Sequence, residues 1–184
     1  MSWFDARIVA RLVVVAALAA VTAGCFRPMY AERGPDGDSA LRTKLSGVEV
    51  PPLNLPNGSR EARLGVEIRN ALMFNMYGAA TGGPPTHQLK LRISTSRLSV
   101  LVDPTTARAD LENYGINAVY ELRDIATDKV VLTGTTFSRV SYDIPGQQQR
   151  FARSRALRDA EDQAAKVIAD NISQRLASFF IAGT

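Results

Sequence analysis

Cysteine and histidine are almost absent from this sequence, which has one of each among its 184 residues. A single thiol cannot close an intramolecular disulfide, and one histidine with one cysteine cannot build a His/Cys metal cluster. No Ser/His/Asp arrangement is indicated by spacing, and His87, at a strand start beside a flexible loop, is expected to be a solvated loop residue. These shortages predict a protein that is not an enzyme and holds no metal or dissociable cofactor.

An acidic cluster in one turn of a predicted helix, Asp159, Glu161 and Asp162, could suggest a cation site. Three basic residues lie three or four positions away along the same helix: Arg155, Arg158 and Lys166. Such spacings place opposite charges side by side on a helix surface. The pattern therefore favours a solvated face with salt bridges over a metal site.

Long hydrophobic runs are also scarce, and the most marked one lies near the N-terminus. Arg7 and Arg11 precede Leu12–Val21, a run of Leu, Val and Ala. This run is too short to span a bilayer and has the layout of a cleaved secretory signal. Small residues then lead directly into cysteine, in the sequence VTAGC at 21–25, which resembles a bacterial lipobox. The alternative is a plain signal peptide followed by an incidental cysteine.

In lipobox signals the cysteine thiol is joined to diacylglycerol, the chain is cut before the cysteine, and the new amine is acylated. Covalent lipid on Cys25 would hold the mature chain on a membrane. The residue after Cys25 is Phe26. An Asp at this position would resemble an inner-membrane retention signal, so its absence favours the outer membrane.

Removal of residues 1–24 would leave 160 residues, the size of one domain with a tether. The formal net charge falls from +4 to +3, because Asp5, Arg7 and Arg11 are lost. This mild excess does not indicate nucleic-acid binding, but it suits an anionic lipid surface or acidic glycolipid. Residues 25–46, rich in Pro, Gly and charge, are predicted to be a lipidated tether, and 47–184 the folded domain.

Two helices are predicted in the folded domain. Ser59 is a plausible N-cap for a helix over about Arg60–Tyr77, in which Leu64, Ile68, Leu72 and Met76 recur at i+4. The second spans about residues 148–180. Its i+4 stripe runs from Ala156 to Phe180 and is widened by Leu157, Val167 and Phe179.

Four strands are predicted from alternation: a short one at Val48–Val50, a second from Leu89, a third over 114–122 and a fourth over 130–142, interrupted by Gly134. In the second strand the apolar residues change from odd-numbered positions to even-numbered ones at Leu98 and Val100. This change predicts a bulge near Ser96–Arg97. Short connections make the last three strands an antiparallel meander.

The predicted fold is α+β, a two-layer sandwich of order β-α-β-β-β-α, in which two helices pack on one face of a four-stranded, mostly antiparallel sheet. The other face would be exposed or held by a partner.

Several short motifs occur in the order seen in a known family. In chain order they are the lipobox at Cys25, FRPMY at 26–30, Arg69-Asn70-x-Leu72, Thr106-x-Arg108, Tyr120-x-Leu122, Asp124-x-x-Thr127, Val131-Leu132-x-Gly134, and ALRDA at 156–160 with Arg175-Leu176-Ala177. With these the chain resembles the lipopolysaccharide-assembly lipoproteins known as LptE, in their alphaproteobacterial form.

The resemblance implies a fold of two helices against a four-stranded sheet, in agreement with the pattern above. It implies a lipoprotein that plugs the LptD β-barrel within the outer membrane, facing the periplasm, helps that barrel to assemble, and binds lipopolysaccharide on its way to the outer leaflet. Family members carry basic residues at positions matching Arg108 and Arg153.

Lys90, Arg92 and Arg97, treated as one row on the second strand, are further candidates for binding phosphate. For each basic residue the alternative is a solubilising surface charge. For the chain, the alternative function is a lipid-anchored auxiliary subunit of an envelope ABC transporter.

Overall fold

The structure is a computed structural model that describes residues 40–78, 82–103, 108–144 and 150–182, without the side chains of 101–103, 108–110 and Arg150. The predicted signal peptide, the lipidation site and the tether as far as residue 39 lie outside the described residues.

Three helices and four strands follow one another in the order α-β-α-β-β-β-α. They are α1 (Ala40–Ser46), β1 (Val48–Glu49), α2 (Arg60–Tyr77), β2 (His87–Asp103), β3 (Arg108–Asp124), β4 (Val130–Asp143) and α3 (Arg150–Ala182). The sheet has the order β1-β2-β3-β4, with β1 parallel to β2 and the other pairs antiparallel. The predicted α+β fold with a mostly antiparallel sheet is confirmed, with one additional helix at its start.

That additional helix, α1, lies in the segment predicted as a tether. Leu41 and Leu45 are one helical turn apart, and both are buried in the hydrophobic core. A seven-residue helix is too short to produce a sustained period in the sequence, so its two leucines gave no clear signal. The chain is therefore already packed on the domain before residue 47.

Helix α2 has the predicted bounds because both of its ends are capped. The Ser59 hydroxyl oxygen accepts a hydrogen bond from the Ala62 N–H at 3.0 Å. At the other end Gly78 adopts a left-handed conformation with φ of 71°, and its N–H donates to the Phe74 carbonyl at 2.8 Å. The predicted stripe of Leu64, Ile68, Leu72 and Met76 is buried.

Helix α3 buries most of its predicted stripe, from Ala160 to Leu176, between α2 and strands β3 and β4. The stripe is widened on the side of Ala165 and Ala169, which are buried, whereas Val167 is 42% exposed. The assignment of Val167 to the core was wrong. Ala165 and Ala169 each follow a stripe residue by one position and Val167 precedes one, so the two flanks of the stripe are not equally covered here.

The helix-facing side of the sheet follows the predicted alternation. Every second residue of β3 from Tyr114 to Leu122 is buried. Strand β4 continues through Gly134, which pairs with Tyr120, so the predicted interruption there was wrong. A Cβ atom at Gly134 would overlap the Tyr120 ring, so the glycine gives the ring a place to lie across the neighbouring strand.

The bulge predicted near Ser96–Arg97 is absent. Pairing between β2 and β3 is regular from His87 to Ser99, and the register shifts come only between Ser99 and Val102. Leu98 remains on the outward side and is 67% exposed, and Val100, at the register shift, is 50% exposed. The apolar residues change face because the helices no longer cover this end of β2, where Arg97 and Ser99 on the helix-facing side are also exposed.

Candidate functional site

Two of the predicted phosphate-binding residues lie on the outward face of β2. Lys90 is directly opposite Glu121 of β3, and the Arg92 guanidinium donates to a Glu121 carboxylate oxygen at 3.1 Å. The Arg92 side chain is 79% exposed, so this ion pair is screened by water and contributes little to stability. Lys90 and Arg92 therefore both lie beside Glu121 on a solvent-facing surface, and Arg92 forms the ion pair with it.

Arg97 lies on the opposite face from Lys90 and Arg92. It is paired with Tyr114, whose side chain points into the core on the helix side. Arg97 follows Lys90 by an odd number of positions, and only the bulge predicted between them would have returned both to one face. Because the register is regular there, the expected single row of Lys90, Arg92 and Arg97 does not exist.

Arg108 is the first residue of β3 and pairs with Asp103 where the hairpin of β2 and β3 turns. Its side chain lies outside the described part of the structure. Arg153, in the first turns of α3, forms an ion pair with Glu112 of β3 at 3.5 Å. Since Glu112 pairs with Ser99 in the sheet, Arg97, Arg108 and Arg153 all belong to the hairpin half of the molecule.

The carboxylate that holds Arg153 also receives a hydrogen bond from the Tyr142 hydroxyl of β4. Burial, and then the hydrogen bond and negative charge of Glu112, raise the pKa of Tyr142 well above its ordinary value. Glu112 thus joins the beginning of α3 to two strands. Arg153 has a structural partner, yet its side chain is 56% exposed and can still present donors to solvent.

Within the acidic cluster on α3, Asp159 and Asp162 are exposed, but Glu161 does not lie on the solvated face that the sequence predicted. Glu161 is only 3% exposed, and its partners come from α2. Arg63 binds Glu161 through one terminal nitrogen and Asp162 through the other at 2.6 Å, while the Arg60 Nε lies 3.4 Å from Glu161. Burial disfavours the charge of Arg63, but its hydrogen bonds to both carboxylates outweigh that cost and raise the pKa of the guanidinium. Glu161 and Asp162 of α3 and Arg60 and Arg63 of α2 thus form an inter-helix clasp.

A sequence signal for this clasp was present. Glu161, Ala165 and Ala169 are spaced at i+4 and lie on the side of the stripe that is buried. A carboxylate on that line must find cationic partners on a neighbouring element, because burying an unpaired charge is costly. Within the described ranges, no group of three or more His, Cys, Asp or Glu side chains is arranged to hold a metal ion.

The outward face of the sheet is bare among the described residues, and it mixes apolar and hydroxyl side chains. Phe137 is 64% exposed and Val119 is 43% exposed, and Thr133 and Thr135 lie between them and the strand end. The Arg139 guanidinium lies 5.7 Å from the centre of the Phe137 ring. This surface, defined by Val119, Thr133, Thr135, Phe137 and Arg139, is called the bare face below.

The edges of the sheet are as open as the bare face. β1 pairs with only the first two residues of β2, His87 and Gln88. From Leu89 onward β2 has no strand on that side, and β4 has none on its outer side, in the part of the chain that the structure describes. Unpaired strand edges and exposed apolar groups together are typical of a surface that meets another molecule.

The comparisons with known proteins decide the family. The model of the LptE family, described as lipopolysaccharide-assembly, matches residues 45–176. The chain belongs to the LptE family. The match includes α2, all the strands of the meander and most of α3, which are the elements that build the sheet and its helical cover. The resemblance drawn from the short motifs is thereby confirmed.

Solved structures similar to this LptE-family chain show the same fold. A protein assigned as a lipoprotein from Caulobacter crescentus CB15 is 22% identical, with a TM-score of 0.59, over 78% of this chain and 97% of that chain. Rare lipoprotein B from Shewanella oneidensis is 17% identical, with a TM-score of 0.51, over 74% of this chain and 96% of that chain. No curated protein sequence matches significantly.

Proposed function

We propose that this chain is a non-enzymatic outer-membrane lipoprotein that partners and plugs an LptD-like β-barrel, assists its assembly, and takes part in delivering lipopolysaccharide to the outer leaflet. The observation that carries the proposal is the family match over residues 45–176. Its anchor would be the lipid on Cys25. None of the described helices is long and apolar enough to cross a membrane.

The bare face supports a partner of this kind. Helices α2 and α3 both lie on the other side of the sheet, so the bare face and the open edge of β4 are available together. A barrel interior offers a concave wall of polar and apolar side chains, to which a surface of Thr, Val, Phe and Arg is suited. In this proposal the helices form the core and the bare face meets the barrel.

The hairpin half of the molecule supports contact with lipopolysaccharide. Arg97, Arg108 and Arg153 are brought to that half by strand register and by the ion pair to Glu112. Guanidinium groups pair with phosphate through two parallel hydrogen bonds, which makes a group of them a suitable contact for phosphorylated glycolipid. Lys90 and Arg92 would form a second, weaker contact on the outward face.

Affinity purification of the tagged full chain from detergent-solubilised envelopes tests the partnership. A large β-barrel should be recovered, and an unrelated outer-membrane lipoprotein with the same tag should not recover it. Recovery of an ATPase or permease in place of the barrel would contradict the proposal and support a transporter subunit.

The lipid anchor is tested by metabolic labelling with a fatty acid. The Cys25→Ala chain should carry no label, because Cys25 is the proposed acceptor. Label that persists on the variant would contradict lipidation at Cys25.

Lipopolysaccharide contact is tested by the double change Arg108→Glu and Arg153→Glu. Binding should weaken because repulsion replaces attraction for phosphate, and binding to the parent should fall as salt rises. The matched control is Lys166→Glu with Arg175→Glu, which changes the charge equally at exposed positions of α3 outside the proposed contacts. Unchanged binding by a folded Arg108→Glu, Arg153→Glu chain would exclude Arg108 and Arg153 as the contact.

A further inference from the structure

A groove of about 860 Å³ lies between the first turns of α2 and the early turns of α3. Arg60 and Arg63 line it from α2, and Arg155 and Arg158 line it from α3. In each pair the residues are three apart, which places both side chains on one face of their helix. None of these four arginines belongs to the residues proposed above to contact lipopolysaccharide.

The groove holds more positive charge than its carboxylates neutralise. Glu161 is the single acidic residue in its lining, and it is shared between Arg60 and Arg63. Asp162, outside the lining, takes the second terminal nitrogen of Arg63. Arg155 and Arg158 form no ion pair with any residue that the structure describes. Their spacing in the sequence had predicted salt bridges to the acidic cluster of the same helix.

The clasp fixes the geometry of the groove. Glu161 is almost fully buried and forms ion pairs with Arg60 and Arg63, which places both guanidinium groups at the wall of the groove. Arg155 and Arg158 face them from the other helix with their donors unused by carboxylates. Gly58 and Ser59 also line the groove, so the partial positive charge of the α2 N-terminus adds to the same field.

We propose that this groove binds a phosphomonoester group, together with the polar group that carries it. Guanidinium forks match the oxygens of phosphate in pairs, and two walls of arginine can hold a dianion from both sides. The volume lies within the about 300–1,000 Å³ typical of small-molecule sites, which is more than phosphate alone needs. Val66 and Leu157 supply apolar contact for the remainder of the ligand. This site goes beyond the proposed function, because it requires neither the barrel nor the bare face.

Calorimetric titration of the full chain in micelles of an uncharged detergent tests the site, with glucose 1-phosphate and inorganic phosphate as probes. The test variant is Arg155→Gln with Arg158→Gln, since glutamine keeps helix propensity and removes charge. The control is Lys166→Gln with Arg175→Gln, which removes the same charge from α3 at exposed positions away from the groove.

The parent should bind glucose 1-phosphate, with an affinity that falls as salt rises. The Arg155→Gln, Arg158→Gln chain should bind about tenfold more weakly or worse, because each lost guanidinium removes charge-assisted hydrogen bonds. The control should stay within about twofold of the parent. Equal affinity in the parent and the groove variant would overturn the proposal.

A second titration separates a soluble source of the phosphate from a lipid headgroup. Micelles containing phosphatidic acid are compared with micelles containing phosphatidylcholine, for the parent and the groove variant. Binding of phosphatidic acid alone, lost in the variant, would support the groove and assign its phosphate to a lipid. Absence of binding to phosphatidic acid, glucose 1-phosphate and inorganic phosphate by the parent would overturn the proposal. Recovery of the barrel by the tagged chain is measured separately, so failure here leaves the proposed function intact.

Discussion

The two faces of the sheet share the same strands but have opposite surfaces. On the helix-facing side Tyr114, Ile116 and Leu122 are almost fully buried beneath α2 and α3. On the bare face Phe137 is 64% exposed. Because burial of apolar area supplies most of the folding free energy, stability resides on the covered face. The bare face contributes little to that energy and is the surface that the proposed function assigns to a partner.

The comparison is tested most strongly by placing aspartate on each face. Ile168→Asp, in the covered layer, should cost several kcal/mol and unfold the domain, because a buried carboxylate would have no partner. Phe137→Asp on the bare face should cost less than about 1 kcal/mol, the range of strand propensity. Thermal unfolding of both chains measures the difference. Similar midpoints for the two variants would mean that the faces are not energetically distinct.

The glycine beneath Tyr120 gives a smaller effect of the same kind. Gly134→Val should destabilise the domain by about 1–3 kcal/mol, because the added side chain displaces the Tyr120 ring from the covered face. Thr135→Val, on the next residue of β4, points to the bare face and should be near neutral. Denaturant midpoints provide the measurement. A neutral Gly134→Val would show that Tyr120 does not lie across the glycine.

The smallest effect concerns pH. Burial, and then the negative charge of Glu161, raise the pKa of Tyr114 from 10.0 to about 12. Between those values the unfolded chain loses the phenolic proton first, so stability should be complete below pH 10.0 and fall as pH rises towards about 12. Tyr114→Phe should remove this part of the alkaline loss, with little change at neutral pH. An identical alkaline profile in parent and variant would contradict it.

The covered face was largely predictable from sequence because it produces periodic signals. Leu64, Ile68 and Leu72 repeat with the period of a helix, and Tyr114, Ile116 and Ala118 with that of a strand. The family was recognisable from short motifs in a consistent order. The bounds of α2 followed from Ser59 and from the glycine after its last turn.

What failed depended on contacts between elements. The side of β2 on which Arg97 lies is set by register with β3, and an apolar phase change was mistaken for a bulge. Glu161 was assigned to a solvated face because its neighbours along α3 are basic, whereas its partners Arg60 and Arg63 are about 100 residues away in sequence, on α2. Local spacing cannot identify such partners. The residues of the arginine groove were therefore visible only in the folded chain.

Site-specific photo-crosslinking in living cells tests the central claim, that the bare face meets the partner. A photoreactive phenylalanine analogue replaces Phe137 on the bare face in one strain and Phe74 on α2 in another, two phenylalanines of similar exposure at 64% and 70%. The account predicts a crosslinked product of barrel size from position 137 and little or none from position 74. A product from position 74 with none from position 137 would contradict it.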